Sequence, residues 1–152
     1  MKGLEFEHRH RVTYSECTLG NHVYYGNYLA LLEEARGEFF RHLGATFLAW
    51  QERGVLFPVT ACAFRFLAPA RYDDVVAVRL WLTQLRGARL SFAYRLVVEP
   101  GRGVLEGETH HACTSLEEKP RRLPSELIER LQPYLHLPPP AAPIGDPAAG
   151  TP

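Results

Sequence analysis

One stretch of helical periodicity, set among segments of two-residue alternation, is what most limits the folds open to this chain of 152 residues. Tyr28, Leu31, Leu32, Ala35, Phe39 and Leu43 fall at i, i+3, i+4, i+7 spacing, which is the apolar stripe of a single long amphipathic helix. Gly26 or Asn27 stands near its start, and Gly44 is placed to end it. Before the helix, Leu4 to Thr13 reads as a first strand, followed by a polar loop from Tyr14 to Asn21. After it, Ala45 to Arg53 reads as a short helical or irregular connection.

Beyond that the period becomes two. Val55 to Leu67 is an apolar run read as a strand. Val76, Val78, Leu80 and Leu82 alternate with Ala77, Arg79, Trp81 and Thr83, and Leu90, Phe92, Tyr94, Leu96 and Val98 alternate in the same way. Gly87 and the cluster Pro100-Gly101-Arg102-Gly103 supply the turns. A last strand runs from Val104 to Leu116, and Pro124-Ser125 opens a short C-terminal helix reaching Leu135. The order is strand, long helix, four strands, so the expected architecture is α+β, a five-stranded antiparallel sheet with the helix on one face. One helix cannot cover both faces and both edges, so a second subunit is expected, in a homodimer or homotetramer.

Length allows one domain, taken as residues 1–137, and the 46% hydrophobic content is enough to build its core. Residues 138–152 are rich in Pro and Ala and are expected to be a disordered tail. Seventeen basic and seventeen acidic residues cancel, which argues against nucleic acid as a partner. No apolar run is long enough to span a bilayer, and the N-terminus lacks the apolar core of a signal peptide, so a membrane is not expected as a partner. Cys17, Cys62 and Cys113 are odd in number and far apart, which suits a reducing cytoplasm. His110 and His111 point to opposite faces of one strand, so only one can face a pocket and they are not a metal pair. No spacing of ligands suggests a metal site, and there is no Gly-rich phosphate loop or nucleophile elbow.

The chemistry concentrates where the loop meets the helix, at Glu16, Asn21 and His22. Backbone N–H groups at a helix start are unpaired and carry partial positive charge, so a buried helix start can hold an oxyanion. The residues His22-Val23-Tyr24-Tyr25-Gly26-Asn27-Tyr28-Leu29 and Glu33-Glu34-Ala35-Arg36 resemble, in register, the signature of the hotdog-fold thioesterases, closest to the 4-hydroxybenzoyl-CoA thioesterase-like and acyl-CoA thioesterase branch. The late segment Cys113 to Leu131 resembles the family's last strand and helix start, so the likeness covers about residues 4 to 135. It implies a hotdog fold, with the sheet wrapped around one long central helix, and hydrolysis of an acyl thioester of CoA or an acyl carrier protein without cofactor or metal.

The resemblance also assigns roles. The backbone N–H of Tyr25 would polarise the thioester carbonyl. The family's catalytic aspartate aligns with Thr18, a hydroxyl that can orient a water or the substrate but is a poor base. In branches lacking the loop aspartate a helix-borne glutamate can act as base or nucleophile, which singles out Glu33, although Glu33 could also pair with Arg36 one turn on. Glu16, aligned with the first acid of the family's pair, is the other available carboxylate, and His22 is a further candidate base. The enediyne-type thioesterases of this fold lack the acid too, and their tyrosine and arginine match Tyr28 and Arg36. Asn21 and Asn27 are expected to hold the loop and bind substrate. Arg86, Arg89, Lys119, Arg121 and Arg122 are candidates for the CoA phosphates, with Arg89 and Arg121 preferred. The missing aspartate also leaves room for a different class, a catalytically silent protein that binds an acyl thioester. A dehydratase of the same fold is disfavoured because its His and Asp/Glu arrangement is not evident.

Overall fold

A computed structural model describes residues 3–137, and the expected tail of residues 138–152 lies outside the described residues. Five strands, β1 (Phe6–Arg11), β2 (Val59–Phe66), β3 (Val75–Arg86), β4 (Arg89–Val98) and β5 (Arg102–Ala112), form one antiparallel sheet in the order β1-β3-β4-β5-β2. The helix α1 (Asn27–His42) links β1 on one edge to β2 on the other, so it crosses the sheet face between them. The short helices α2 (Phe47–Glu52) and α3 (Ser125–Leu131) complete the fold.

Each element follows from its residues. The stripe of α1 is buried as Tyr28, Leu31, Leu32, Ala35 and Phe39, and Arg36 and Phe40 join it on the same side. Against it lie Val76, Val78, Leu80 and Leu82 of β3 and Leu90, Phe92, Tyr94 and Leu96 of β4, all buried. The helix ends where Gly44 takes φ +96°, a conformation that disfavours side chains, and Arg130 Nη1 donates to the Leu43 carbonyl at 2.6 Å. The β3–β4 hairpin turns at Gly87, φ +63°, with Arg86 opposite Arg89.

The strand read from Val55 to Leu67 begins later, at Val59. Residues 55–58 instead form a wall, with Leu56 joined to Thr114 by an isolated bridge. The C-terminal helix stops at Leu131 and continues to Tyr134 as a 3-10 turn containing Pro133. Gly107 lets β2 lie close on β5, because a Cβ there would stand 2.2 Å from the Ala63 carbonyl oxygen and 2.6 Å from the Phe64 ring. Among the described residues the outer edge of β2 is unpaired, and Val59 and Phe66 at its two ends are about half exposed.

Candidate functional site

The loop before α1 is a folded unit. Cys17 and Val23 form an antiparallel bridge, and the turn between them carries Gly20 and Asn21 at positive φ, a region asparagine tolerates better than most residues. Asn21 Oδ1 accepts from the Tyr72 N–H at 3.0 Å, which ties the turn to the β2–β3 connection. Thr18 N–H donates to the His22 carbonyl at 2.7 Å, and the Thr18 hydroxyl lies 3.2 Å from the carbonyls of Leu19 and His22. The Thr18 hydroxyl is thus turned onto its own loop. The His22 side chain is exposed and lines a hollow with Tyr25, Tyr28 and Phe66.

Glu16 is not a free carboxylate. It accepts from the Thr13 N–H and hydroxyl, both at 2.8 Å, and from His10 Nε2 at 2.8 Å. Burial alone would raise its pKa, but the hydrogen bonds from Thr13 and His10 outweigh burial and lower it. Its backbone carbonyl receives the Tyr24 N–H at 2.9 Å and Asn27 Nδ2 at 2.9 Å. Glu16 and Asn27 therefore fasten the loop to the helix start.

At that start the backbone N–H groups of Tyr25 and Gly26 make no hydrogen bond with any described residue, whereas those of Tyr24 and Asn27 are paired. A Cβ at Gly26 would come within 2.8 Å of the half-exposed Tyr24 ring, so any larger residue here would have to displace that ring. Tyr25, whose N–H is free among the described residues, lines a hollow of about 320 Å³ with Tyr28 and Phe66. Tyr28 is buried, and its hydroxyl accepts from the Ala70 N–H at 3.1 Å.

Further along α1, Glu33 and Arg36 line a second cavity of about 300 Å³ together with Val59 and His111. Glu33 is exposed and forms no ion pair with Arg36. Arg36 is buried and donates through Nη1 to the Tyr94 hydroxyl at 3.0 Å. From there runs a chain that sequence reasoning missed: Tyr94 Oη to Thr109 Oγ1 at 2.6 Å, Thr109 Oγ1 to His111 Nε2 at 2.8 Å, and His111 Nδ1 to the Phe57 carbonyl at 3.1 Å. The Phe57 carbonyl can only accept, so Nδ1 of the neutral ring carries the proton and Nε2 accepts, which sets the direction of the chain. Tyr94 donates to Thr109, and Thr109 donates to Nε2. Burial lowers the His111 pKa to about 4, so the ring is neutral. The signal was available in the alternation, since Thr109 and His111 pair across the sheet with the inward Phe92 and Leu90.

The remaining candidates stand apart from the helix start. Arg121 Nη1 donates to the Gly54 carbonyl at 3.1 Å, close in sequence to the wall residues Val55 and Leu56. Arg89 is exposed at the β3–β4 hairpin. Tyr25 precedes α1 by two residues and Glu33 lies within it, about 12 Å apart at a helical rise of 1.5 Å per residue, so they do not converge within one chain.

Residues 12–131 match the model of a family described as the thioesterase-like superfamily. Among curated proteins, the chain is 34% identical to the acyl-CoA thioester hydrolase YbgC of Escherichia coli, over 78% of this chain and 89% of that one. It is 26% identical to a 1,4-dihydroxy-2-naphthoyl-CoA hydrolase of Thermosynechococcus vestitus, over 76% and 80%. Among solved structures, a hypothetical protein of Thermus thermophilus superposes with a TM-score of 0.78 at 34% identity, covering 84% of this chain and 98% of that one.

Proposed function

The chain belongs to the thioesterase-like superfamily, and from that premise we propose that it is an acyl-CoA thioester hydrolase whose oxyanion site is the Tyr25 backbone N–H. The observation that carries the reading is that this donor is unpaired, at a helix start, beside a hollow. The helix dipole favours the negative charge that develops on the carbonyl oxygen, and a preorganised donor of this kind contributes about 2.7–4 kcal/mol in the transition state. The names of the relatives support CoA as the carrier, and the free thiols of Cys17, Cys62 and Cys113 support a reducing cytoplasm as the setting.

The base in this reading is Glu33. Glu16 is held by Thr13 and His10, and Thr18 faces loop carbonyls, whereas Glu33 is exposed on a cavity wall and has no ion-pair partner among the described residues. Glu33 takes a proton from water as the water oxygen bonds to the carbonyl carbon. The tetrahedral oxyanion rests on the Tyr25 N–H. Its collapse breaks the C–S bond, and the proton on Glu33 passes to the departing sulfur, leaving free acid and thiol.

A second copy brings these two groups together. Tyr25 and Tyr28 share a hollow with Phe66, at the end of β2, while Glu33 and Arg36 share a cavity with Val59, at its beginning. The helix thus runs antiparallel along β2. A two-fold axis that pairs the unpaired β2 edges antiparallel sets the Val59 end of one copy beside the Phe66 end of the other. Glu33 of one copy then approaches Tyr25 of the other, giving two composite sites per dimer.

A charge on the exposed edge tests this, because edge lysines block strand pairing. Ala63→Lys is expected to convert a two-chain particle to one chain in light scattering and to abolish thiol release in the same samples. A one-chain variant that keeps wild-type turnover would overturn the shared site.

A further inference from the structure

The cavity lined by Arg36 has a charge it does not itself balance. Arg36 is only 8% exposed, and among the described residues its side chain makes one hydrogen bond, to the Tyr94 hydroxyl. Everything beyond that hydroxyl is neutral: Thr109, the uncharged ring of His111, and the Phe57 carbonyl. Burial raises the Tyr94 pKa further, so it does not supply a phenolate. Among the described residues no carboxylate forms an ion pair with Arg36, including Glu33 one turn earlier on the same wall. A buried guanidinium without a counter-ion is costly, and the remaining N–H groups of its fork suit a planar carboxylate.

The surroundings define the shape of what would balance it. Phe40, Phe47, Phe57 and Phe92 make the walls of a space of about 300 Å³, enough for a ring-sized acyl group. Glu33 is exposed while Arg36 is buried in the core, so the acid sits toward the mouth and the cation inside. Arg36 lies about 4.5 Å along the helix axis from Glu33, so a thioester held at Glu33 would direct the far end of a compact acyl group toward Arg36.

We propose that this cavity selects acyl groups carrying a carboxylate at the end remote from the thioester, with Arg36 pairing that carboxylate and the Tyr94–Thr109–His111 chain fixing the guanidinium in place. This rests on the reading of the protein as a thioester hydrolase, and it makes Arg36 a specificity-determining residue rather than part of the bond-breaking step.

The test compares shape-matched thioesters that differ only in distal charge: 4-carboxybenzoyl-CoA against 4-methylbenzoyl-CoA, and glutaryl-CoA against pentanoyl-CoA. Both kcat/KM and the dissociation constant, from calorimetry, are measured. In the wild type the carboxylate member of each pair is expected to be favoured by at least about tenfold, as for a buried charge pair. In Arg36→Met the ratio is expected to fall to one or below, and in Arg36→Lys to be partly kept. Equal or poorer handling of the carboxylates by the wild type would overturn the proposal, and that result needs no variant to fold. So would a preference that survives in Arg36→Met. Tight carboxylate-selective binding without turnover would sustain this proposal while sinking the hydrolase reading. Turnover without selectivity would do the reverse.

Discussion

Replacing Glu33 by Gln is expected to lower the rate of thiol release from acyl-CoA by at least about a hundredfold, the smaller end of what a positioned general base contributes. The amide keeps the shape and the helix propensity but cannot take a proton from water. Glu33 is exposed and makes no ion pair among the described residues, so its loss leaves no buried described group unpaired. Thermal unfolding is therefore expected to stay within the small range of surface substitutions, about 0.5 kcal/mol. Steady-state kinetics should place the loss in kcat, because the amide keeps the shape of the cavity wall and the Tyr25 N–H is untouched. A variant with wild-type kcat would remove Glu33 from the chemistry.

The second large effect concerns acid stability. His111 is 4% exposed, and burial lowers its pKa to about 4, below the ordinary value of 6.5. Between these values the unfolded chain binds the proton and the folded chain does not. Folding stability therefore falls as pH drops through that window and is flat, for this group, above it. The full difference is about 3 kcal/mol. Glu16 and Glu7, whose pKa values are lowered, behave differently: their contribution is present above about pH 4.5 and fades only below it. Urea midpoints at pH 7.5 and pH 5 separate the two. The wild type is expected to lose much more stability over that interval than His111→Gln, which has no proton to take up. Parallel losses in both proteins would contradict a neutral, buried His111.

Much of this architecture could be read from local pattern. The stripe from Tyr28 to Phe39 is one buried face of α1, and Gly87 makes the hairpin between two alternating runs. What local pattern cannot contain is contact between segments far apart. The order of strands places β1 beside β3 and β2 beside β5, and no spacing in the sequence specifies this.

The site divides along the same line. The unpaired Tyr25 N–H lies two residues before Asn27, the first residue of α1, in the turn that leads into the helix, which is a local property. The fate of Glu16 depends on His10, which lies on a different element. Arg36 finds Tyr94 at a separation of 58 residues, so its solitary charge is invisible until the sheet is assembled. Val55 to Pro58 looked like strand because it is apolar. Its Leu56 bridges to Thr114 and its residues wall the cavity, and tertiary packing overrides the local preference.

Thr18 bears most directly on whether the protein turns over at all, since its hydroxyl is committed to the carbonyls of Leu19 and His22 and supplies no base. A protein that merely holds acyl thioesters would share the fold, the cavity and the free N–H. The decisive measurement is release of free thiol by the purified protein from a panel of benzoyl, hydroxybenzoyl, carboxybenzoyl and short and long aliphatic acyl-CoAs, with thermal shift recorded on the same mixtures. Saturable thiol release from at least one member, lost in Glu33→Gln, is the result predicted here. Stabilisation by the thioesters with no thiol released from any of them would contradict it and leave a binding protein in its place.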